Sequence, residues 1–507
     1  FYQPVVFARA QEDPETARYF RGLVRLGIST DLILEEIDTA RRQLIISTAI
    51  VALGALAGGI GGALLLATIV VIPIRRLVEG VAVIRDTEQK EKLKNHVIDV
   101  RTRDELSELA ETVNSMTQGL VKAAEANKDL TIGKEVQKKF IPLMEDSERR
   151  KLTMAREDTP QAEFAGYYEG AKGVSGDYFR YQKLDDQHYA VIKCDISGKG
   201  VPAALIMVQV ATLFTNYFQD WTLKKKGLAL GGFVTQINDI IASIGFEGRF
   251  AAFTAGILNI ETGSVRLCNA GDTKIHLYDQ ASRKAVERDL PRAPAAGVFS
   301  SDMIPSGFPE IDLVLHSGDI MLLFTDGIEE AKRGLRTENY AHMVLSDEDI
   351  EKERMPEWLE PLLEEKSVTR KQSGELEEEL GIPRIHEIVT AFQNRRRYRL
   401  EKVSDPDGDD ELLFDFSDVG ESLEELVLAL VSVEKIFRMY RPNDVTQDDR
   451  VQVDVRIDDF LRKHFRQYDR FFRYPLDSDD DSQYRYYGRV REEEQYDDLT
   501  ILTIRKQ

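Results

Sequence analysis

The alternation of hydrophobic and polar positions changes period along this chain, and each change predicts a different kind of element. Residues 44–74 form an apolar run without a charge, bracketed by Arg41-Arg42 and Arg75-Arg76. About 20 residues span a bilayer as a helix, so this run is long enough to cross one with some tilt. Gly54, Gly58 and Gly62 recur every fourth residue in it, a face on which two helices can pack closely. After Pro73, the positions Leu77, Val81 and Ile84 predict a short amphipathic helix. A connector over 90–102 leads to a second helix, in which Leu106, Leu109, Val113, Met116, Leu120, Ala123, Asn127 and Leu130 alternate spacings of three and four. That is a heptad seam with Asn127 as the polar residue that fixes register in a parallel dimer, and Gly133 is expected to break it.

From about Asp158 strands and turns replace helices. Runs 250–260 and 264–268 flank Glu261-Thr262-Gly263, and runs 312–315 and 320–324 flank His316-Ser317-Gly318-Asp319, which predicts two hairpins. Consecutive hairpins imply antiparallel sheet and disfavour a doubly wound nucleotide fold. Residues 201–218, with Pro202 in the first turn, read as a buried helix. Residues 335–490 carry acidic runs (375–379, 405–411, 477–481) beside Arg395-Arg396-Arg397 and are expected to be a solvated insertion, with helices over 423–437 and 455–472.

Composition narrows the class. The 507 residues carry a net charge of −21, which argues against a nucleic-acid partner. Cys194 and Cys268 each sit in an apolar run and read as core residues in a reducing compartment. Basic residues crowd the C-terminal flank of the apolar run, so residues 75 onward are assigned to the cytoplasm and 1–40 to the other side. The start at Phe1 is read as that of a fragment of a longer protein.

The chemistry lies in four aspartates, each in a small-residue motif: Ser175-Gly176-Asp177-Tyr178, Cys194-Asp195-Ile196-Ser197-Gly198-Lys199-Gly200, Phe324-Thr325-Asp326-Gly327 and Tyr496-Asp497-Asp498-Leu499-Thr500. Asp195 and Asp326 follow apolar runs and so stand at strand ends, where a carboxylate is costly unless it is paired or binds a cation. Such a set, with glycines allowing close approach, is the all-oxygen environment that Mg²⁺ or Mn²⁺ prefers. Taken singly, each aspartate is equally a turn or helix cap. Gly198-Lys199-Gly200 lacks the remaining residues of a phosphate-binding P-loop.

Two resemblances follow from these motifs. Pro73-Ile74-Arg75-Arg76-Leu77, with Asp104-Glu105-Leu106 through Asn114-Ser115-Met116, resembles a HAMP domain, which implies a homodimeric four-helix bundle relaying a signal across a bacterial cell membrane. Residues 19–29 look like the end of an extracytoplasmic sensor domain. The aspartate motifs, with Phe253-Thr254-Ala255, Asn269-Ala270-Gly271 and Ser317-Gly318-Asp319, resemble the metal-dependent protein phosphatase 2C superfamily, in particular its sporulation stage II protein E branch. The resemblance implies an α-β-β-α sandwich of antiparallel sheets with two Mn²⁺ or Mg²⁺ ions. Carried over residue by residue, Asp177, Asp195, Asp326 and Asp497 are metal ligands, with the Ile196 carbonyl completing one sphere, Asp195 bridging, and Asp498 the alternative to Asp497. The implied partner is a phosphoserine or phosphothreonine protein, such as an anti-sigma factor antagonist. A catalytically silent partner-binding domain is the alternative reading. Ser175, Lys199 and Asp272 depart from the family pattern, the last two standing where relatives often carry histidine. The expected organisation is therefore 1–43 sensor end, 44–74 transmembrane helix, 75–122 HAMP domain, 123–150 signalling helix, and 151–507 phosphatase domain with the insertion at about 335–490.

Overall fold

The structure is a computed structural model that describes every residue except 1, 9–17, 26–29, 88, 103, 148, 172, 246–247, 338–340, 348–355, 357, 366, 401–411, 441–449, 466–474, 477–482, 489 and 496. The chain forms two compact units, Phe1–Ala126 and Asn127–Gln507.

In the first unit, strands β1 (Tyr2–Ala8) and β2 (Arg18–Arg25) pair antiparallel, and the rest of the expected exit at 26–29 lies outside the described residues. Helix α1 (Thr30–Leu66) continues through a π-helical stretch, Ala67–Val71, into α2 (Ile72–Asp86). The whole run Thr30–Asp86 is long and apolar enough to cross a membrane, and it extends beyond the apolar core 44–74 at both ends, with Pro73 in the first turn of α2 directly after the π-helical stretch. Helix α3 (Glu105–Lys138) begins where the heptad seam does. Its Leu106, Ala110 and Val113 pack with Leu77, Ile84, Ile98 and Val100, and Asn114 grips both the N–H and the C=O of Ile98, at 2.8 and 3.0 Å. Leu109, Met116 and Leu120 remain exposed. The expected break at Gly133 does not occur. One glycine weakens a helix by only about 1 kcal/mol, and here its bare Cα is used, since a Cβ would lie 3.1 Å from Val174.

The second unit is built on two antiparallel sheets. The strands are β3 (Met154–Asp158), β4 (Ala162–Glu169), β5 (Tyr178–Lys183) and β6 (His188–Ile196), then β7 (Ala251–Asn259), β8 (Ser264–Ala270), β9 (Lys274–Asp279) and β10 (Lys284–Asp289), then β11 (Glu310–Val314), β12 (Ile320–Phe324) and β13 (Leu499–Lys506). One sheet runs β10-β9-β12-β13-β4-β3 and the other β11-β8-β7-β6-β5. Helices α4 (Val201–Gln219) and α5 (Gly231–Ile244) cover the second sheet. Helices α6 (Gly381–Gln393) and α7 (Leu423–Arg438) cover the first. The α-β-β-α sandwich is thus the observed architecture.

The central strands of the first sheet are apolar on both faces, because each face has a core to fill there. In β12, Met321 and Leu323 join the core between the sheets, while Ile320, Leu322 and Phe324 join the core under α6 and α7. Strand β13 splits likewise, with Leu502 and Ile504 inward and Leu499 and Ile501 outward.

Two expectations are corrected. The hairpin over 312–324 is not one: β11 pairs with β8 in one sheet and β12 with β9 and β13 in the other, so His316–Asp319 is a crossover between sheets. A short turn looks the same from sequence whether the strands it joins pair or part. The solvated insertion at 335–490 also fails where it matters most. Helix α7 is buried along its length from Leu426 to Arg438, and α6 contributes Ile385, Ile388, Val389 and Phe392 to the same core. Acidic runs flanking these helices masked their apolar content. Residues 332–379 add a small three-stranded sheet with its own core of Leu335, Leu345, Leu359, Val368 and Leu376. The helix expected over 455–472 runs Val455–His464, and 466–472, like the acidic runs 405–411 and 477–481, lies outside the described residues. Cys194 and Cys268 are buried free thiols.

Candidate metal centre

Antiparallel register alone brings the four motifs to one end of the sandwich. Tyr178 pairs with Cys194, so Asp177, just before β5, and Asp195, near the end of β6, share an edge of one sheet. Phe324 pairs with Ile501, so Asp326, just after β12, and Asp497, just before β13, share an edge of the other. The loop from β4 to β5 crosses between the sheets at this end, since Leu499 pairs with Glu169 at its start.

Each aspartate is held differently. Asp177 is buried; it accepts the Thr325 hydroxyl at 2.7 Å, and its N–H donates to Ser175 Oγ at 3.0 Å. The serine that departs from the family pattern is therefore part of the loop's framework. Its N–H and C=O are both engaged by the Gln137 side chain, at 3.1 and 3.0 Å, which ties the end of α3 to the loop carrying Asp177. Asp498, the alternative ligand, is committed elsewhere: its carboxylate accepts the N–H groups of Ala171 and Gly176, at 2.8 and 3.0 Å. Asp497 meets the Lys199 ammonium at 3.0 Å. Gly327 is required because a Cβ there would strike the Asp498 carbonyl, and Gly176 because one would lie 2.9 Å from the Ile196 carbonyl. Gly198 and Gly200, with φ of +82° and +78°, turn the chain from β6 into α4.

Acids dominate the electrostatics of this end. Burial first, and then Asp326, push Asp195 up to about 7, with Lys193 partly opposing. Burial, then Asp497 and Glu330, push Asp326 up to about 6. Burial, then Asp195 and Asp498, hold Asp177 well above the carboxylate range. Carboxylates that raise one another's pKa in this way are a hard-oxygen donor set short of positive charge. This chemistry fits divalent cations. The side chains are not drawn into a finished sphere: among the described residues, no group of three or more His, Cys, Asp or Glu is disposed to hold a metal ion.

The structure also accounts for residues that sequence reasoning left aside. Asp272 pairs with buried Lys193 at 2.8 Å. Lys193 was signalled only by being a lone charge in the apolar run of β6. His316, exposed before β12, stands at the opposite end of that strand from Asp326.

Residues 185–367 match the family Stage II sporulation protein E (SpoIIE), and residues 65–122 match the HAMP domain. Protein IcfG of Synechocystis sp. (strain ATCC 27184 / PCC 6803 / Kazusa) is 26% identical over 226 residues, covering 40% of this chain and 33% of its own. Phosphoserine phosphatase RsbU of Bacillus subtilis (strain 168) is 25% identical over 169 residues, covering 33% of this chain and 46% of its own. The chain thus spans about a third to a half of the length of these curated relatives. Among solved structures, the SiaA-PP2C domain of Pseudomonas aeruginosa aligns with 76% of this chain and 98% of its own, at 13% identity and a TM-score of 0.38.

Proposed function

We propose that this chain, with its HAMP domain and its SpoIIE-type domain, is a membrane-anchored, metal-dependent serine/threonine protein phosphatase. The observation that carries the reading is the cluster of mutually repelling carboxylates gathered at one end of the sandwich. Asp177, Asp195, Asp326 and Asp497, with the Ile196 carbonyl, would hold two Mn²⁺ or Mg²⁺ ions. Two such ions, when bound, make hydroxide available at neutral pH and offset charge on the phosphoryl oxygens. The chain's own residues set the stage. Thr325 fixes the Asp177 carboxylate by its 2.7 Å hydrogen bond, and Gln137 fixes the loop that bears it. Lys199 sets its ammonium beside Asp497, at 3.0 Å.

RsbU is named a phosphoserine phosphatase; by analogy the substrate proposed here is a phosphoserine or phosphothreonine regulatory protein, such as an anti-sigma factor antagonist. The run Thr30–Asp86 would cross the bacterial membrane once, with residues 75 onward in the cytoplasm. The exposed Leu109, Met116 and Leu120 would form the seam of a homodimer. Signal would then reach the loop bearing Asp177 through Gln137, near the C-terminal end of α3.

The test is phosphate release from a phosphoserine protein by the full chain in detergent, with Mn²⁺ and with chelator. Release that needs the cation supports the reading, and none at any cation concentration defeats it. One observation favours a second reading, a sensor-regulated partner-binding domain: Lys199 sits on Asp497. Partner binding without hydrolysis would select it.

A further inference from the structure

We propose that Asp272 and Thr254 form a restraint that keeps the Lys193 ammonium off Asp195, leaving that carboxylate open to cations. The inference rests on the two-cation reading above. Lys193 interrupts the apolar run of β6 two residues before Asp195, so the two side chains leave the strand on the same face. It is 7% exposed, and a buried ammonium demands a counter-charge. Asp272 supplies it at 2.8 Å.

Asp272 is itself held on several sides. Its second oxygen accepts the hydroxyl of Thr254, the cross-strand partner of Lys193. Its carbonyl accepts the amide of Asn269, the next cross-strand partner, at 2.6 Å. The turn before it uses Gly271 at φ +87°, where a Cβ would come within 2.9 Å of Ala295. Without Asp272, Asp195 is the acid that acts most strongly on Lys193. A lysine stem is flexible enough to make that exchange, and an ion pair there would compete with a cation for the same oxygens. Lys199 on Asp497 shows such a pairing at the mouth of the same site.

The experiment is Mn²⁺ binding by calorimetry on the full chain in detergent, together with melting of the metal-free protein. Asp272→Asn is expected to bind Mn²⁺ at least about tenfold more weakly. The double variant Lys193→Met/Asp272→Asn, with no ammonium left to turn, is expected to return to within about threefold of the wild type. Thr254→Val, a milder change that keeps both charges, is expected to weaken binding by about threefold and serves if Asp272→Asn does not fold. An ion pair that only supports the fold would instead lower the melting temperature of the single variants and leave the Mn²⁺ affinity of the folded protein unchanged. That result, or a double variant as weak as Asp272→Asn, overturns the proposal. A wild type that binds no Mn²⁺ defeats the two-cation reading itself, and the restraint with it, so the two failures are distinguishable.

Discussion

Two buried charge clusters in the second unit look alike in composition and differ in balance. Near the C-terminal end of α7, Arg438 pairs with Glu434 and Glu492, and Lys435 with Glu492, so two cations meet two acids. Burial pulls Arg438 down, and Glu434 and Glu492 more than offset it, so the guanidinium stays charged. Burial lifts the Glu434 carboxyl too, but Arg438 and Lys435 oppose it, whereas at the strand ends Asp177, Asp195, Asp326 and Asp498 are driven upward by burial and by neighbouring acids. Lys193 is already taken by Asp272, and Lys199 meets Asp497. Burial of charge therefore does not mark function. Uncompensated burial does, because a fold retains a repelling set only if something outside the chain relieves it.

The largest effect expected from breaking this contrast is on catalysis. Asp195→Asn should lower Mn²⁺-dependent phosphate release by about three orders of magnitude or more, while circular dichroism shows an intact fold. The balanced cluster should respond in stability instead. Arg438→Met leaves Glu434 buried without its partner and Glu492 with Lys435 alone, and urea unfolding should show a loss of ~3–5 kcal/mol.

The next prediction concerns pH. Burial, and then Asp326, push Asp195 up to about 7 in the folded chain, from about 4 when unfolded. Between those values the folded state binds more protons, so the stability this group contributes is present below about pH 4 and is lost as pH rises through about 7. Metal-free wild type should therefore fall in melting temperature relative to metal-free Asp195→Asn across that window, by roughly 5 °C. Parallel curves for the two proteins would show that Asp195 is not strained. Saturating Mn²⁺ should remove the difference in slope.

Smaller effects are expected where α3 meets the loop. Gln137→Ala removes both hydrogen bonds to Ser175 and should reduce turnover about tenfold, with little change in the melting of the sandwich. Asn127→Ile should stabilise the dimer and change turnover by a few-fold at most. Dimerisation that strengthens while turnover and metal affinity stay fixed would make the seam a tether, not a relay.

Much of the molecule was legible from local pattern. The uncharged run at 44–74, the helix α3, the apolar strands β6 and β12 and the helix α4 follow from periodicity, which depends only on neighbouring residues. Asp177, Asp195 and Asp326 stand out in the sequence by the glycines and apolar runs beside them. What the sequence could not contain was partnership. Two turns of similar chemistry, Glu261-Thr262-Gly263 and His316-Ser317-Gly318-Asp319, respectively join paired strands and strands in different sheets. Two adjacent aspartates, Asp497 and Asp498, are chemically identical, yet only the second is anchored by the amides of Ala171 and Gly176. Helix α7 reads as part of an acidic insertion until β4 and β13 are seen to need a cover on their outer faces. Which residues are buried, paired or left repelling is decided by contacts between segments far apart in the chain, and those exist only once the two sheets have closed on each other.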